Sequence, residues 1–112
     1  MALNTFLEKI HSKTPVSFNE TIAVITENYA YQPTEFGNGL LVNNAGSNEG
    51  SCKIFAFALI HQLSDQQTLN LFGDYYHDVL NNPDGTDHQN IRNFIHYGWQ
   101  GISFKNQALT AV

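Results

Sequence analysis

The chain has 112 residues, of which 42% are hydrophobic, and this length allows one domain with a single modest core. Its formal net charge is −5 and its five Lys and Arg residues are scattered, so neither nucleic acid nor an anionic membrane is expected as the main partner. A single cysteine excludes an internal disulfide and suits a reducing compartment. We therefore treat residues 1–112 as a single globular domain.

Two amphipathic helices are predicted at the start of the chain. Apolar residues spaced three and four apart predict a helix over residues 2–12, which Thr14-Pro15 ends. The capping-box pattern Ser17-Phe18-Asn19-Glu20 begins a second helix over residues 17–30. The first apolar run is too short for a secretory signal, so we expect a cytoplasmic protein, or one exported by a route that needs no cleaved signal.

Residues 31–50 are predicted to form a long irregular connection, rich in the asparagine and glycine that favour turns. Within it, the apolar run Leu40–Val42 is expected to be a short extended segment or the wall of a packed loop. Because loops of this length in compact domains are often functional, the polar loop 36–51 is a candidate for part of a functional surface.

The segment from Cys52 to Leu63 is apolar on nearly every side, which is typical of a buried helix. It is far shorter than the roughly 20 apolar residues that cross a bilayer. We therefore predict a central core helix here, with Ser47 or Asn48 as its N-cap.

A second capping-box pattern predicts a helix over residues 65–81. Gly73 lies inside it, and close packing against a neighbour is the simplest reason for a glycine there. After a turn that contains proline and glycine, Thr86-Asp87-His88-Gln89 is predicted to cap a last helix over residues 88–97.

Beyond the last helix, residues Ile102–Phe104 are expected to be extended, and the tail from Lys105 is expected to fray. Taken together, the elements predict a mainly α fold, or α+β at most. We expect a compact single-domain bundle of about five helices around a buried central helix, with one or two short extended segments.

Cys52, His88 and Asp87 are the candidate catalytic residues. A thiol at the N-terminal end of a helix is expected to have a lowered pKa, because free N–H groups and the helix dipole favour the thiolate. Paired with His88 and oriented by Asp87, Cys52 would serve as the nucleophile of a hydrolase or transferase. The alternative is that Cys52 is a small buried hydrophobic residue, as free cysteines often are.

Acidic and histidine side chains recur at spacings compatible with metal binding in the helix at 65–81 and the turn after it. They are Asp74, His77 and Asp78, then Asp84, Asp87 and His88. The alternative is a solvated acidic helix face followed by N-cap residues. The sequence has no HExxH, CxxC or EF-hand pattern, and we expect no metal and no cofactor.

Aromatic side chains are a further candidate for recognition, because Tyr and Trp suit interfaces and pocket walls. Tyr31, Tyr75 and Trp99 are the ones expected to face a partner or ligand. Arg92 points away from the apolar stripe of its helix, so it is expected to pair with an aspartate or to bind an anion.

Four strings carry a family resemblance: TEFGNGLLVNNAG, NEGSCKIFAF, TLNLFGDYYHDVL and PDGTDHQNIRNFIHYGWQGI. The chain resembles the HopJ type III effector protein family over about residues 18–102. The resemblance implies a bacterial protein that a type III secretion system delivers into host cells, with a host or bacterial protein as the expected partner. It implies no established activity, substrate or cofactor, and it assigns no catalytic residue.

The matching strings coincide with the polar loop 36–51 and the turn 82–90, which we predict to form one binding face. The residues expected to bind a ligand are Asn43, Asn44, Glu49, Ser51, Lys53, Asn90, Arg92 and Trp99. The expected function is that of a HopJ-type effector-like protein that acts by protein or ligand binding. The alternative is a small hydrolase or transferase that depends on cysteine and histidine.

Overall fold

The computed structural model describes residues 2–112. Within them the chain forms six α-helices, which are α1 (Leu3–His11), α2 (Phe18–Asn28), α3 (Glu49–Ile60), α4 (Asp65–Asn70), α5 (Asp74–Asn81) and α6 (Gln89–Tyr97). The same residues form a 3₁₀ turn at Gly98–Gly101 and five strands, which are β1 (Tyr29–Tyr31), β2 (Phe36–Asn38), β3 (Leu41–Asn43), β4 (Ile102–Phe104) and β5 (Leu109–Ala111). The prediction of a mainly α fold is confirmed, with more strands than expected.

Helices α1 and α2 lie where the sequence predicts them. The capping box is present, because the backbone N–H of Glu20 donates to Oγ of Ser17 at 3.0 Å and the N–H of Ser17 donates to Oε1 of Glu20 at 3.3 Å. A salt bridge of 3.4 Å between Nζ of Lys9 and Oε2 of Glu20 joins the two helices. Local sequence rules are therefore sufficient to place this part of the chain.

Helix α3 is the buried central helix that its all-round apolar character predicts. Cys52 and residues 54–58 are buried, and Phe55 packs against four aromatic rings, those of Phe36, Phe72, Phe94 and Trp99. The helix begins at Glu49, with Asn48 as its N-cap, and its last two residues, Leu59 and Ile60, emerge into solvent. None of the helices in residues 2–112 is long and apolar enough to cross a membrane.

The prediction of one continuous helix over residues 65–81 is wrong. The capping box at Ser64 and Gln67 forms as expected, but α4 ends at Asn70, and α5 begins after Gly73. Gly73 has φ 58° and ψ −126°, a conformation that favours glycine, and a Cβ there would lie 2.8 Å from the backbone nitrogen of Phe18. The expected close packing is confirmed, and the break turns Leu71 and Phe72 into the core.

The connection over residues 31–50, expected to be irregular, contains a β-hairpin. Strand β2 pairs antiparallel with β3 on one side and with β4 on the other, in the order β3-β2-β4. The short extended segment predicted around Leu41 and Val42 is part of this hairpin, and the extended segment predicted at Ile102–Phe104 is its third strand.

The prediction of a frayed tail from Lys105 is also wrong. Strand β5 pairs antiparallel with β1, with Tyr29 opposite Ala111 and Tyr31 opposite Leu109. Ala108 and Leu109 are buried in the core. The tail is ordered for two reasons. Ala108 and Leu109 pack in the core near the end of α3, and β1 has an open edge with which β5 pairs.

Candidate ligand-binding cleft

A cleft of about 210 Å³ lies where the N-terminal ends of α2, α3, α5 and α6 meet. Aromatic and apolar side chains form one wall of the cleft. The N-cap and first-turn residues of α3 and the N-cap residue of α6 form the other wall. The lining residues are Phe18, Asn48, Gly50, Ser51, Phe72, Tyr75, His88 and Ile91. Residues of the polar loop 36–51 and His88 of the turn 82–90 therefore line the same cleft.

Two N-cap residues in an unusual backbone conformation lie in this cleft. Asn48 has φ 52° and ψ 48°, and His88 has φ 50° and ψ 48°, both in the left-handed region. Such conformations in residues other than glycine are costly and recur at functional sites. Within the described chain, neither side chain makes a capping hydrogen bond to its own helix, so both are directed to other partners. The expectation of a cap at Thr86–Gln89 is thus corrected, because the N-cap residue is His88 and it caps by backbone conformation alone.

A buried network of asparagine amides holds the cleft together. Asn43 and Asn90 bond reciprocally, each Nδ2 donating to the other's Oδ1 at 3.0 Å, although they are 47 residues apart. Nδ2 of Asn38 donates to the carbonyl oxygen of Asn90 at 2.8 Å, and Nδ2 of Asn48 donates to Oδ1 of Asn43 at 2.7 Å. The network fixes the β2–β3 hairpin against the beginnings of α6 and α3, and so it sets the left-handed geometry of Asn48.

His88 is half-buried between an aromatic ring and two carboxylates. Its ring centroid lies 5.3 Å from that of Tyr75, and its Nε2 lies 3.7 Å from Oδ2 of Asp87 and 3.9 Å from Oδ2 of Asp78. Its ring is therefore held by contacts that leave one side open to the cleft. The hydrogen bond from Arg92 is the main reason that the pKa of Asp87 is lowered, so this carboxylate is ionised at neutral pH.

Arg92 is fully engaged in holding the turn before α6. Its Nη2 donates to Oδ1 of Asp87 at 2.7 Å and its Nε to the carbonyl oxygen of the same residue at 2.6 Å. Its Nη1 donates to the carbonyl oxygens of Asn82 and Pro83 at 2.8 and 3.4 Å. Arg92 was predicted either to pair with an aspartate or to bind an anion, and in the structure it pairs with Asp87.

Only 1% of the surface of Cys52 is exposed. This burial matches the alternative prediction, in which Cys52 is a small buried hydrophobic residue. Burial raises the pKa of its thiol, and interactions with the Tyr31 side chain and the Thr34 backbone offset this only in part. The expected lowering of the pKa is therefore wrong, because desolvation of the thiolate outweighs the favourable helix end. Tyr31 and Thr34 surround the thiol, whereas Tyr75, Asp78 and Asp87 surround His88.

The remaining predicted binding residues have different roles. Ser51 lines the cleft, and Asn44 and Glu49 are exposed to solvent. Nζ of Lys53 lies 4.7 Å from the centre of the Tyr31 ring, as a cation–π contact. Trp99 is half-buried, and its Nε1 donates to the carbonyl oxygen of Leu63 at 3.0 Å, so the structure places it against the core.

Metal-ligand geometry is not found in residues 2–112, where no group of three or more His, Cys, Asp and Glu side chains is arranged to hold an ion. Asp74 and His77 form only an exposed pair, with 3.8 Å between Oδ1 and Nδ1. Five lining residues were not among the predicted binding residues, and they are Phe18, Asn48, Gly50, Phe72 and Ile91. The apolar character of Phe72 and Ile91 indicates core packing, and both are buried apart from the edges that line the cleft.

The fold and the cleft define a small, mainly helical domain with a preformed recess between two helix beginnings. The model of the HopJ type III effector protein family matches residues 3–109, and the chain belongs to this family. The match extends beyond the stretch of about 18–102 that the sequence strings suggest. Membership implies type III secretion, because the family is described by that route.

One solved structure has nearly the same fold. It is described as the crystal structure of the unknown function protein VPA0580, is 49% identical and has a TM-score of 0.97, with 100% of this chain and 95% of that chain covered. No curated protein matches the chain significantly. The comparisons therefore establish the family and the fold, and the biochemical function has to be argued from the cleft.

Proposed function

We propose that this protein is an effector-like protein that acts by binding, and that the cleft between α3 and α6 receives a part of its partner. The observation that carries the proposal is the lining of the cleft, in which Asn48, Ser51 and His88 offer polar groups beside the ring of Tyr75. Polar groups that converge on an aromatic wall are the usual composition of a recognition site.

The size of the cleft favours a protein partner over a large small-molecule ligand. Sites for drug-sized ligands usually enclose about 300–1,000 Å³, whereas this cleft has about 210 Å³. A recess of that size suits one anchoring side chain, and buried aromatic anchors supply much of the energy of protein interfaces. We infer that the partner is a host or bacterial protein that inserts an aromatic side chain able to accept or donate a hydrogen bond.

Other residues of the predicted face would support binding in two ways. Asn44 and Glu49 are exposed and would contact the partner outside the recess. Asn43 and Asn90 are buried and would act by holding the recess in shape. The protein would reside in the bacterial cytoplasm before secretion, in keeping with its family.

A titration with small aromatic probes tests this proposal. We would add N-acetyl-tyrosinamide and N-acetyl-tryptophanamide to the ¹⁵N-labelled protein and follow amide chemical shifts. We expect shifts concentrated at residues 48–51, Tyr75 and His88, and their loss in Tyr75→Ala. Shifts that are scattered over the surface, or that persist unchanged in Tyr75→Ala, would contradict the assignment of the cleft.

A matched pair of histidine variants separates the cleft from a general surface effect. His88→Asn keeps a residue that tolerates the left-handed conformation but removes the imidazole. His96→Asn makes the same change at an exposed position near the other end of α6. We expect weaker probe binding only for His88→Asn. Equal effects of both variants would count against the proposal.

A further inference from the structure

The orientation of the Asn48 amide in the cleft is fixed by hydrogen bonds that begin in the buried interior. Asn48 lines the cleft, and its Nδ2 donates to Oδ1 of Asn43 at 2.7 Å. A side-chain amide has one donor group and one acceptor atom, so its two orientations would offer a ligand opposite groups. Which of them the cleft offers therefore depends on what orients the amide of Asn43.

A backbone carbonyl orients the first amide of the network. Nδ2 of Asn38 lies 2.8 Å from the carbonyl oxygen of Asn90, which can only accept. The reverse orientation of Asn38 would place two buried acceptors against each other, and this is unfavourable. The observed orientation is therefore required, although it leaves Oδ1 of Asn38 without a partner within residues 2–112.

The orientation of Asn38 determines those of Asn90 and Asn43. Nδ2 of Asn38 also lies 3.0 Å from Oδ1 of Asn90, so this atom of Asn90 has to be the acceptor. The same Oδ1 accepts from Nδ2 of Asn43 at 3.0 Å, and the Asn43 donor also lies 3.4 Å from the carbonyl oxygen of Phe36. Oδ1 of Asn43 is thus turned toward Asn48, where it accepts from Nδ2.

The Asn48 atom that remains for a ligand is an acceptor. Its Oδ1 receives no hydrogen bond from any residue in the described part of the chain. Because Nδ2 is held by the network, the amide offers this oxygen in the cleft and would offer a donor only after the bond to Asn43 is broken.

We propose that Asn48 determines the specificity of the cleft by accepting a hydrogen bond from the side chain that the partner inserts. This role rests on the proposed function and narrows the anchor to one with an N–H or O–H donor, such as the indole of Trp or the phenol of Tyr. A Phe anchor would bind more weakly. The reason is that a fixed acceptor loses its water to an analogue without a donor and gains no partner in return.

Pairs of probes that differ by one methyl group test this role. N-acetyl-tryptophanamide and its 1-methylindole analogue share a ring, as do N-acetyl-tyrosinamide and its O-methyl ether, but only the first member of each pair has the side-chain donor. Dissociation constants for the intact ¹⁵N-labelled protein are obtained from amide chemical shifts. We expect each methylated probe to bind about three- to tenfold more weakly, which is the effect of one hydrogen bond.

Three variants assign this preference to Asn48, because the ratio within each variant cancels the size of the methyl group. Asn48→Gly tolerates the φ of 52° and removes the amide, so both members of a pair should bind alike. Asn48→Asp has acceptors only and should keep the preference, which provides a measurement even if Asn48→Gly disturbs the cleft. Ser51→Ala removes a neighbouring hydroxyl of the lining and should also keep it.

The outcomes distinguish a failure of this role from a failure of the proposed function. Three results would overturn the role of Asn48 and leave the cleft as the binding site: no penalty for methylation, a penalty that persists in Asn48→Gly, or one that disappears in Ser51→Ala or Asn48→Asp. If no probe of either kind shifts residues 48–51, Tyr75 and His88, both the proposed function and the role of Asn48 are wrong.

Discussion

The two ends of α3 each bring a histidine close to a tyrosine, and the two pairs have opposite surroundings. At its C-terminal end, Nε2 of His61 lies at hydrogen-bond distance, 2.6 Å, from the hydroxyl oxygen of Tyr29, and the imidazole lies against the ring of Phe57, with 4.5 Å between centroids. Burial lowers the pKa of His61 and raises that of Tyr29, so both side chains are kept neutral. At the N-terminal end, His88 lies beside the Tyr75 ring and two carboxylates, and it is open to a cleft.

This comparison teaches that residue types alone do not distinguish a packing contact from a recognition site. Both pairs consist of the same two residue types, and both histidines are half-buried. What differs is the partner of the imidazole, which is a neutral hydroxyl at one end and carboxylates at the other. Only the second histidine lines a cleft, and this difference can be tested by four experiments.

The largest effect is expected on the reactivity of the Cys52 thiol. Cys52 lies in the first turn of α3, at the open end, but it is as buried as the residues at the other end. Because alkylation requires opening of the core, we expect it to be at least about a thousandfold slower in the native protein than in the urea-unfolded chain. The measurement is the rate of reaction with iodoacetamide in both states. A native rate as fast as that of a small free thiol would revive the hydrolase alternative.

The next largest effect is expected for Phe57→Ala at the sealed end. Phe57 is fully buried and packs against Phe6 and Tyr29, so its truncation should lower the free energy of unfolding by about 3–5 kcal/mol. Tyr75→Ala at the open end removes a more exposed ring and should cost less than about 1.5 kcal/mol. Urea unfolding of both variants checks the contrast, and equal losses would show that the Tyr75 end is core as well.

The sequence predicts the locally capped helices better than the contacts between distant segments of the chain. Ser17, Ser64 and the all-apolar α3 follow local rules, and their elements form where those rules place them. The reciprocal bonds of Asn43 and Asn90 join residues far apart in the chain, so no local pattern reveals them. The same holds for Leu109. Its strand, β5, lies near the end of the sequence and pairs with β1, which lies much earlier in the sequence.

The residues of the cleft were only partly predictable for a related reason. Ser51, Tyr75 and His88 are recognisable as polar or aromatic residues in or beside glycine-rich and capping segments. Gly73 reads as a glycine within one helix, and the sequence does not show that its positive φ splits that helix and opens an edge beside Phe18. The shape of the cleft therefore depends on a backbone feature that residue periodicity does not encode.

An intermediate effect is expected for the amide network at the open end. Asn90→Ala would remove the Oδ1 that accepts from Asn38 and Asn43 and the Nδ2 that donates to Asn43. Asn38 would keep its bond to the backbone carbonyl of residue 90, but buried amide groups of Asn43 would lose their partners in α6, which typically costs about 1–3 kcal/mol. Asn44→Ala changes an exposed neighbour and should stay within about 0.5 kcal/mol of the parent. The two free energies of unfolding test whether the network stabilises the cleft, and indistinguishable values would mean that it does not.

The smallest effect is the pH dependence that the sealed end should contribute. The folded pKa of His61 lies below its ordinary value of 6.5, so its contribution to stability is complete above about pH 6.5 and is lost as the pH falls toward the folded pKa. His61→Gln should flatten the stability profile between about pH 5 and 7, whereas His88→Asn should leave this component in place. If His61→Gln kept the full slope, the neutral pair at the end of α3 would not be its source, and the contrast between the two ends would rest on geometry alone.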